Sequence, residues 1–254
     1  MSSIISDIKK VIVTPIHKEG YKFIAIFAAF AFILALLSST LGLIGLVLTA
    51  WCVYFFRNPQ RFTIATDSDI ISPADGVVNA IEKAATPPAE LELDKKKQWV
   101  KISVFLNVFD VHVNRVPANG KVLKVKYQEG QFLSANNEDA SDKNERSSVL
   151  LKTKNNSEIV FSQVAGLVAR RIFNDLNEGD EVKAGDLYGI IRFGSRTDIY
   201  LPANSEIKTV VGQRMIGGET VIAKLNANSV SKAVEKSKTT VKKSVKKKVS
   251  TKNK

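Results

Sequence analysis

Cysteine and histidine are scarce in this sequence of 254 residues. It contains one cysteine, Cys52, and two histidines, His17 and His112. A single cysteine excludes an intrachain disulfide framework. So few sulfur and imidazole ligands also argue against a His/Cys zinc site, and no metal site is predicted. Both common glycine-rich phosphate-binding loops are missing as well, which argues against a nucleotide-binding βαβ fold.

Acidic residues are nearly absent from the C-terminal segment, residues 227–254. This segment has ten Lys and one Glu, a net charge of +9, so that the rest of the chain carries only +3 of the total +12. Such a low-complexity basic tail is predicted to be disordered. It is attracted to anionic lipid or, nonspecifically, to nucleic acid. Because it has no aromatic residue, it is a poor stacking platform for single strands, and no specific nucleic-acid partner is predicted.

Charged residues are also missing from residues 23–56. This run exceeds the roughly 20 residues that one membrane span requires, and it is too long for the apolar part of a signal peptide. Its middle, residues 38–42, is a weak helix former. Basic residues flank the run on both sides: Lys9, Lys10, Lys18 and Lys22 before it, and Arg57 and Arg61 after it. Positive charge at both ends favours a membrane-embedded helical hairpin with both ends in the cytoplasm, over one tilted span or a buried pair of core helices.

The body of the chain, residues 57–226, has little helical periodicity. Short runs rich in Val and Ile alternate with clusters of Gly, Pro and Asn, which is the pattern of strands and turns. A Pro-Ala-Asp or Pro-Ala-Asn turn followed by a strand recurs at Pro73, Pro117 and Pro202. We therefore predict a mainly β fold, an antiparallel β-sandwich or barrel-like domain at 57–226. A polar segment at 1–22 and the hairpin at 23–56 precede it, and the disordered basic tail follows it.

A polar cluster interrupts the strand predicted at residues 99–117. Alternate residues share one face of a strand, and on the face that is apolar at first, Asp110, His112 and Asn114 follow. Either a bulge near Asn107 exchanges the two faces, or the core-facing side becomes polar at one end. Asp110 can orient the imidazole of His112 for acid–base chemistry. The alternative is that His112 caps a strand edge and forms a hydrogen bond with the backbone there.

Gly194 and Ser195 separate two apolar runs that are predicted to be strands. Glycine weakens the interior of a strand and marks a bulge or a close backbone approach. The hydroxyl of Ser195 can attack the carbonyl group before it, although a simple turn is the alternative. Asp75, in the run S-P-A-D-G, is by residue type a turn aspartate.

Five short motifs follow one another along the body. In chain order they are F-F-R-N-P-Q-R at 55–61, S-P-A-D-G at 72–76, F-L-N-V-F-D-V-H-V-N-R at 105–115, V-A-G-L-V-A-R-R-I at 164–172 and R-F-G-S-R-T-D-I-Y-L-P at 192–202. Together they resemble the short, bacterial-type (type A) phosphatidylserine decarboxylase proenzymes. One such motif is weak, but five in the family's order are specific. The resemblance weakens beyond residue 202 and does not include the Lys-rich tail.

The resemblance implies a lyase that is made as a zymogen. In that family the chain cuts itself at a Gly-Ser bond, here between Gly194 and Ser195, and the serine becomes a covalent pyruvoyl group. A heterodimer of a β chain, residues 1–194, and an α chain, residues 195–254, is therefore expected, with further oligomerisation left open. The implied reaction converts phosphatidylserine to phosphatidylethanolamine and CO2 through a Schiff base with the pyruvoyl carbonyl, which acts as an electron sink.

The resemblance also implies roles for individual residues. The family's Asp-His-Ser arrangement assigns Ser195 as pyruvoyl precursor, His112 as acid/base and Asp75 as its orienting partner, with Asp110 as the second candidate for that role. Arg115 stands where longer members carry a second histidine, so that His112 is the only histidine of the motif.

Five arginines are candidates for binding the substrate: Arg57, Arg61, Arg115, Arg170 and Arg171. Arg57 and Arg61 follow the apolar run, where they serve equally well to bind lipid phosphate or to anchor the chain at the interface. Arg170 and Arg171 are neighbours and would face opposite sides of a strand, so that at most one of them is expected to bind phosphate.

A lipid substrate explains why the chain has the apolar run. The resemblance implies that the protein is located at the cytoplasmic face of a bacterial inner membrane. Two other functions fit parts of the sequence. A membrane-tethered β module that docks partners through its tail predicts an intact chain and an unmodified Ser195. A pyruvoyl-dependent decarboxylase of soluble amino acids has no need of residues 23–56. The order of the five motifs favours the lipid decarboxylase.

Overall fold

The computed structural model describes residues 14–130, 143–166, 171–192 and 195–226. Predictions about the basic tail, Gly194 and Arg170 concern residues outside these ranges. The described helices are α1 (Tyr21–Leu37) and α2 (Ser39–Phe55), preceded by a 3-10 turn at Lys18–Gly20. The described strands are β1 (Asp69–Ile71), β2 (Gly76–Ala85), β3 (Trp99–Leu106), β4 (Val113–Arg115), β5 (Gly120–Gln128), β6 (Arg146–Thr153), β7 (Glu158–Ala165), β8 (Ile172–Asn174), β9 (Glu181–Val182), β10 (Leu187–Ile191), β11 (Ser195–Pro202), β12 (Glu206–Ile207), β13 (Arg214–Met215) and β14 (Val221–Lys224).

The apolar run folds as two helices packed against each other, which confirms the predicted helical hairpin. Ser38, the residue between α1 and α2, has an extended backbone with φ −162° and ψ 142°. Small residues let the helices approach closely. A Cβ atom at Gly45 would lie only 2.7 Å from the Cα atom of Ala31. One at Gly42 would lie 2.6 Å from the Cβ atom of Ala35.

The outer surface of the hairpin is apolar and exposed. Lys18–Leu37, 20 residues, is long and apolar enough to cross a membrane, whereas α2 is shorter. At the tip of the hairpin, Leu36 and Leu37 are 72% and 73% exposed. Exposed apolar surface on this scale marks a contact with a partner or a membrane. The apolar helix thus suggests membrane association.

The base of the hairpin is anchored in the body by apolar contacts. Phe55 and Phe56 at the end of α2 are fully buried. They belong to a cluster that includes Val111 and Val113 around β4 and Ile190 of β10. Burying a large aromatic side chain stabilises such a junction by a few kcal/mol, about 1.5–3 kcal/mol for each phenylalanine. The hairpin is therefore attached next to β4 and β10.

The strands form a curled antiparallel half-barrel with two small sheets, which confirms the mainly β, barrel-like prediction. The large sheet has the order β13-β2-β3-β11-β7-β6-β5-β9, and the small sheets are β1-β14-β12 and β4-β10-β8. The main core lies on one face of the large sheet. Ile102, Ile199 and Phe161 lie in register across β3, β11 and β7, and all three are fully buried.

Three neighbouring strands of the large sheet are each connected along the chain to a strand of one small sheet, and the connected strands have the same side-by-side order in both sheets. β3, β11 and β7 lie side by side in the large sheet, and β4, β10 and β8 lie side by side in the small one. The connections between them are residues 107–112, 192–194 and 166–171. Ser195, directly after the middle connection, pairs with Leu106 of β3 and Ala165 of β7. We call this place, where three chain segments change sheets together, the corner.

The prediction of one strand over residues 99–117 is wrong. β3 ends at Leu106, and a turn at residues 107–110 comes before β4. The carboxylate of Asp110 accepts a hydrogen bond from the backbone N–H of Asn107 at 2.9 Å, and the Asp110 N–H donates to the Asn107 carbonyl at 2.9 Å. An aspartate that binds nearby backbone in this way stabilises a turn rather than a strand. The polar residues thus follow the end of β3 and lie in and after a turn.

Candidate active site

Ser195 is a buried polar residue at the corner. Its side chain is fully buried, and within the described part of the chain its Oγ atom has no hydrogen-bond partner. Leaving a buried hydroxyl unbonded costs about 1–3 kcal/mol, so that such groups are rare in folded proteins. A hydroxyl held in this way is a candidate reactive group.

His112 lies beside the connection that leads to Ser195. Its backbone carbonyl accepts a hydrogen bond from the N–H of Ile191 at 3.3 Å. The imidazole ring is fully buried, and its centre lies 4.2 Å from that of the Phe55 ring at the end of α2. This burial lowers the pKa of His112 from 6.5 to about 4, although a backbone hydrogen bond with Asp110 opposes the shift. The ring is therefore neutral near pH 7.

The partner of the His112 ring determines which nitrogen carries its proton. Nδ1 lies 3.0 Å from the backbone carbonyl oxygen of Asp110. A carbonyl oxygen only accepts hydrogen bonds, so that Nδ1 is the protonated nitrogen and Nε2 carries the lone pair. In this tautomer Nε2 is able to accept a proton from a hydroxyl group.

Asp110 connects the turn at 107–110 to the chain beyond Ser195. Its carboxylate forms an ion pair with Arg214 of β13. The Asp110 side chain is 1% exposed and that of Arg214 is 62% exposed. Sequence reasoning missed Arg214, because a single arginine near a two-residue strand belongs to no motif. The pairing of β13 with β2 brings Arg214 close to Asp110.

Asp75 lies in the turn before β2, with its carboxylate bound from two sides. It accepts hydrogen bonds from Arg61 at 2.7 Å and from the backbone N–H of Gly217 at 2.8 Å. Burial raises the pKa of the Asp75 carboxyl group, and the charge of Arg61 opposes this shift. Since these contacts run to Arg61 and Gly217, the orienting role of Asp75 towards His112 stays a prediction.

Three of the candidate substrate-binding arginines are engaged with the protein itself. Arg57 donates to two backbone carbonyl groups at 2.8 Å, one of them that of Phe109 in the turn. Arg61 is bound to Asp75, and Arg115 donates to two backbone carbonyl groups of other segments at 2.9 Å. These contacts stabilise the loops around the corner. A part in binding lipid phosphate stays a prediction for each of them.

The two remaining arginine candidates belong to the β7–β8 connection. Arg171 is exposed, and its backbone carbonyl accepts a hydrogen bond from the N–H of Arg192 at 3.3 Å. Arg170 lies outside the described residues. Arg171 therefore borders the connection that leads to Ser195, and its role in phosphate binding also stays a prediction.

The interior next to Ser195 is lined by polar side chains. Thr197 lies two residues further along the same face of β11, and Gln163 of β7 is its register partner. The Gln163 amide nitrogen donates to Asn114 Oδ1 at 2.9 Å and to the Phe173 carbonyl at 3.1 Å, which sets the orientation of the amide. Among the described residues, Gln163 Oε1, Asn114 Nδ2 and Thr197 Oγ1 have no partner. Donors and acceptors for a polar ligand thus lie beside Ser195.

All five motifs meet at the corner. Three of them supply the connections between the sheets, at residues 105–115, 164–172 and 192–202. The motif at 55–61 supplies Phe55, against which His112 packs, and in the motif at 72–76 the Pro73 carbonyl accepts a hydrogen bond from the N–H of Arg115, at the end of β4. Motifs that are far apart in the chain therefore contribute to one common site.

Comparison with known proteins points to one family. The family described as "Phosphatidylserine decarboxylase" matches residues 48–223. A phosphatidylserine decarboxylase proenzyme of Rickettsia akari (strain Hartford) is 55% identical over 208 residues, which cover 82% of this chain and 89% of that protein. Proenzymes of the same name from Rickettsia felis (strain ATCC VR-1525 / URRWXCal2) and Rickettsia rickettsii (strain Sheila Smith) are 55% and 54% identical with the same coverage.

Proposed function

This chain belongs to the phosphatidylserine decarboxylase family, and we propose that it forms a pyruvoyl group from its own Ser195 and uses it at a membrane surface. As a member of that family it is an enzyme of phospholipid biosynthesis, made as a proenzyme, that converts phosphatidylserine to phosphatidylethanolamine and CO2. The observation that carries the proposal is the buried Ser195 hydroxyl, which has no partner among the described residues at the corner where the five motifs meet.

Self-cleavage begins at the Ser195 hydroxyl group. Its Oγ atom attacks the carbonyl carbon of Gly194, the amide nitrogen leaves, and an ester joins the two residues. Removal of the Ser195 α-proton then breaks the Cβ–Oγ bond and releases residues 1–194 as a carboxylate. The dehydroalanine left at position 195 tautomerises to an imine, and water replaces its nitrogen, which departs as ammonia. The products are a β chain, residues 1–194, and an α chain, residues 195–254, that begins with the pyruvoyl group.

His112 suits the proton transfers of this sequence. Its Nδ1–H is held by the Asp110 carbonyl, so that Nε2 is the basic nitrogen, and burial keeps the ring neutral near pH 7. A positioned neutral imidazole can accept a proton and return it. Asp75 and Asp110 are the two carboxylate candidates that support it, and each is bound by an arginine.

The corner fits a carbonyl group at position 195. The first residue of the α chain belongs to β11 and pairs with β3 and β7 on either side, which holds its backbone in place. When formed, a pyruvoyl group supplies an electron sink for the loss of CO2. Thr197, Gln163 and Asn114 offer hydrogen bonds to the polar headgroup of the substrate, because their buried polar atoms are unpaired within the described residues.

The apolar hairpin supports a membrane location for this site. The proposed arrangement inserts α1 and α2 from the cytoplasmic face of a bacterial inner membrane, since basic residues flank both ends of the apolar run. Phe55 of α2 contacts the His112 ring, so that the site lies directly at the base of the hairpin. Arg57, Arg61, Arg115, Arg170 and Arg171 remain the candidates for contact with lipid phosphate.

Denaturing intact-mass analysis of the purified full chain tests the proposal. We expect two fragments that break between Gly194 and Ser195, the smaller one lighter by one ammonia than a chain that begins with serine. Ser195→Ala should give one intact, inactive chain, whereas Ser205→Ala, beyond the far end of β11, should process normally. An intact wild-type chain would contradict the proposal and favour a membrane-tethered β module.

A further inference from the structure

Three surface segments around the corner carry exposed apolar side chains. Phe62 follows the hairpin, Phe109 lies in the turn after β3, and Ile216 follows β13; their side chains are 70%, 63% and 42% exposed. We call the three segments, residues 57–63, 107–110 and 214–219, the rim. Large exposed apolar side chains that lie together mark an interaction surface.

Contacts between its segments make the rim one surface. Arg57 of the first segment donates to the Phe109 carbonyl of the second at 2.8 Å. The N–H of Phe62 donates to the Glu219 carboxylate of the third at 3.0 Å. An ion pair connects the third segment to the second. The exposed side chains thus stand on a framework of fixed loops.

The rim is continuous with the base of the hairpin. Arg57 follows the end of α2 by two residues, and its guanidinium group lies 3.7 Å from the ring centre of Tyr54. The start of α1 carries Tyr21 and, nearby, Lys18 and Lys22, all of them exposed. Tyrosine and basic residues at the ends of membrane helices lie in the headgroup layer. With the hairpin inserted, the rim therefore lies at the depth of the headgroups.

One basic side chain of the rim, that of Arg57, lies where the rim joins the hairpin. The rim segments contain three arginines, Arg57, Arg61 and Arg214, and two acidic residues. Asp110 pairs with Arg214, Glu219 accepts from a backbone N–H, and Arg61 pairs with Asp75, whereas Arg57 donates to backbone carbonyl groups and keeps its positive charge at the base of the hairpin. Basic residues near a membrane are attracted to anionic lipid. The continuity of the rim with the hairpin, with Arg57 at their junction, favours a membrane over a protein as the occupant.

We propose that the rim is a second membrane-binding surface, in which Phe62, Phe109 and Ile216 enter the interfacial layer of an anionic bilayer. It rests on the proposed function and deepens it. The hairpin tethers the body, and the rim holds the corner, where Ser195 lies, against the headgroups. The rim then matters for a substrate in a bilayer and is irrelevant for the same headgroup on a soluble molecule.

The experiment compares two forms of one substrate. The full-length, processed protein is assayed on mixed phosphatidylcholine–phosphatidylserine vesicles and on a short-chain phosphatidylserine that stays monomeric in water. We expect the triple variant Phe62→Ser, Phe109→Ser, Ile216→Ser to lose roughly tenfold or more in kcat/KM on vesicles, since three apolar contacts with lipid are removed. Its activity on the soluble substrate and its self-cleavage should match wild type.

Other outcomes overturn the inference. An equal loss on both substrates would mean that the rim supports the fold, and no loss on vesicles would mean that the rim does not touch lipid. The wild-type protein separates this inference from the proposed function. If it processes itself but decarboxylates neither substrate, the proposed function fails first.

A fluorescence measurement tests the same contact without removing it. In a Trp51→Phe background, Trp99 at the far end of β3 is the remaining native tryptophan. Tryptophan added by Phe109→Trp should be quenched by vesicles that contain brominated phosphatidylcholine and anionic lipid. Tryptophan added by Lys95→Trp, in the exposed loop before β3, should not be quenched. Equal quenching at both positions, or none at position 109, would contradict membrane contact by the rim.

Discussion

Arg214 and Asp110 form an ion pair across the division that the proposed self-cleavage at Gly194–Ser195 would make in the chain. Asp110 belongs to residues 1–194 and Arg214 to residues 195–254. The Asp110 carboxylate also accepts from the N–H of Asn107 and closes the turn, and its backbone carbonyl holds Nδ1 of His112. A residue of the proposed smaller fragment therefore supports the turn that holds His112, the proposed acid/base.

Replacement of Arg214 should slow the reaction more than it weakens binding. Arg214→Ala leaves the buried Asp110 carboxylate without its cation, so that the turn loosens and His112 is misplaced. Misplacing a catalytic group by about 1 Å can cost up to about 100-fold in rate. We expect a fall in kcat on soluble short-chain phosphatidylserine with little change in KM, and partial rescue by Arg214→Lys. A rise in KM at unchanged kcat would instead assign Arg214 to substrate binding.

The pH dependence of stability should carry the signature of His112. Its pKa is about 4 when folded and 6.5 in an unfolded chain, so that the unfolded state binds more protons between these values. With respect to this group, the free energy of unfolding is highest above pH 6.5. It falls by an amount on the order of 3 kcal/mol as the pH is lowered towards 4. Denaturant unfolding of the processed protein in detergent measures this slope. We expect His112→Gln to flatten it, and an unchanged slope would show that other groups cause it.

Bulk at the helix contact should weaken the hairpin. A Cβ atom at Gly45 already approaches Ala31 to 2.7 Å, so that Gly45→Leu forces α1 and α2 apart. Overpacking of this kind typically costs about 1–3 kcal/mol. Thermal unfolding in detergent micelles should show a lower midpoint for Gly45→Leu and an unchanged one for Thr40→Leu, which adds the same side chain at an exposed position of α2. Equal midpoints for the two variants would argue against close helix packing.

Removal of the basic tail should weaken binding to anionic membranes. Each lysine near an anionic surface contributes about 1 kcal/mol of attraction, which salt screens. A chain that ends at Asn226 should process itself normally but sediment less with vesicles that contain anionic lipid, and the difference should vanish at high salt. The same loss with vesicles of neutral lipid would contradict an electrostatic role for residues 227–254.

The hairpin and the strand-rich body can be predicted from patterns among neighbouring residues in the sequence. The absence of charge over residues 23–56 predicts the helix pair, because apolar side chains partition into lipid and charged side chains stay in water. Ser38 interrupts it where the apolar run weakens. The same holds for Ser195 and His112 as candidates, because the order of five motifs is itself a property of the chain.

The corner has a different origin, because it depends on pairing between distant segments. The sequence pattern continues as a strand through Asn107, yet Asp110 closes a turn there, since a side-chain hydrogen bond competes with the strand ladder. Arg214 joins Asp110 only because β13 pairs with β2, and Gln163 joins Asn114 because two sheets face each other at that place. Register among far-separated strands is a long-range property, so that the partners of these side chains emerge when the sheets assemble.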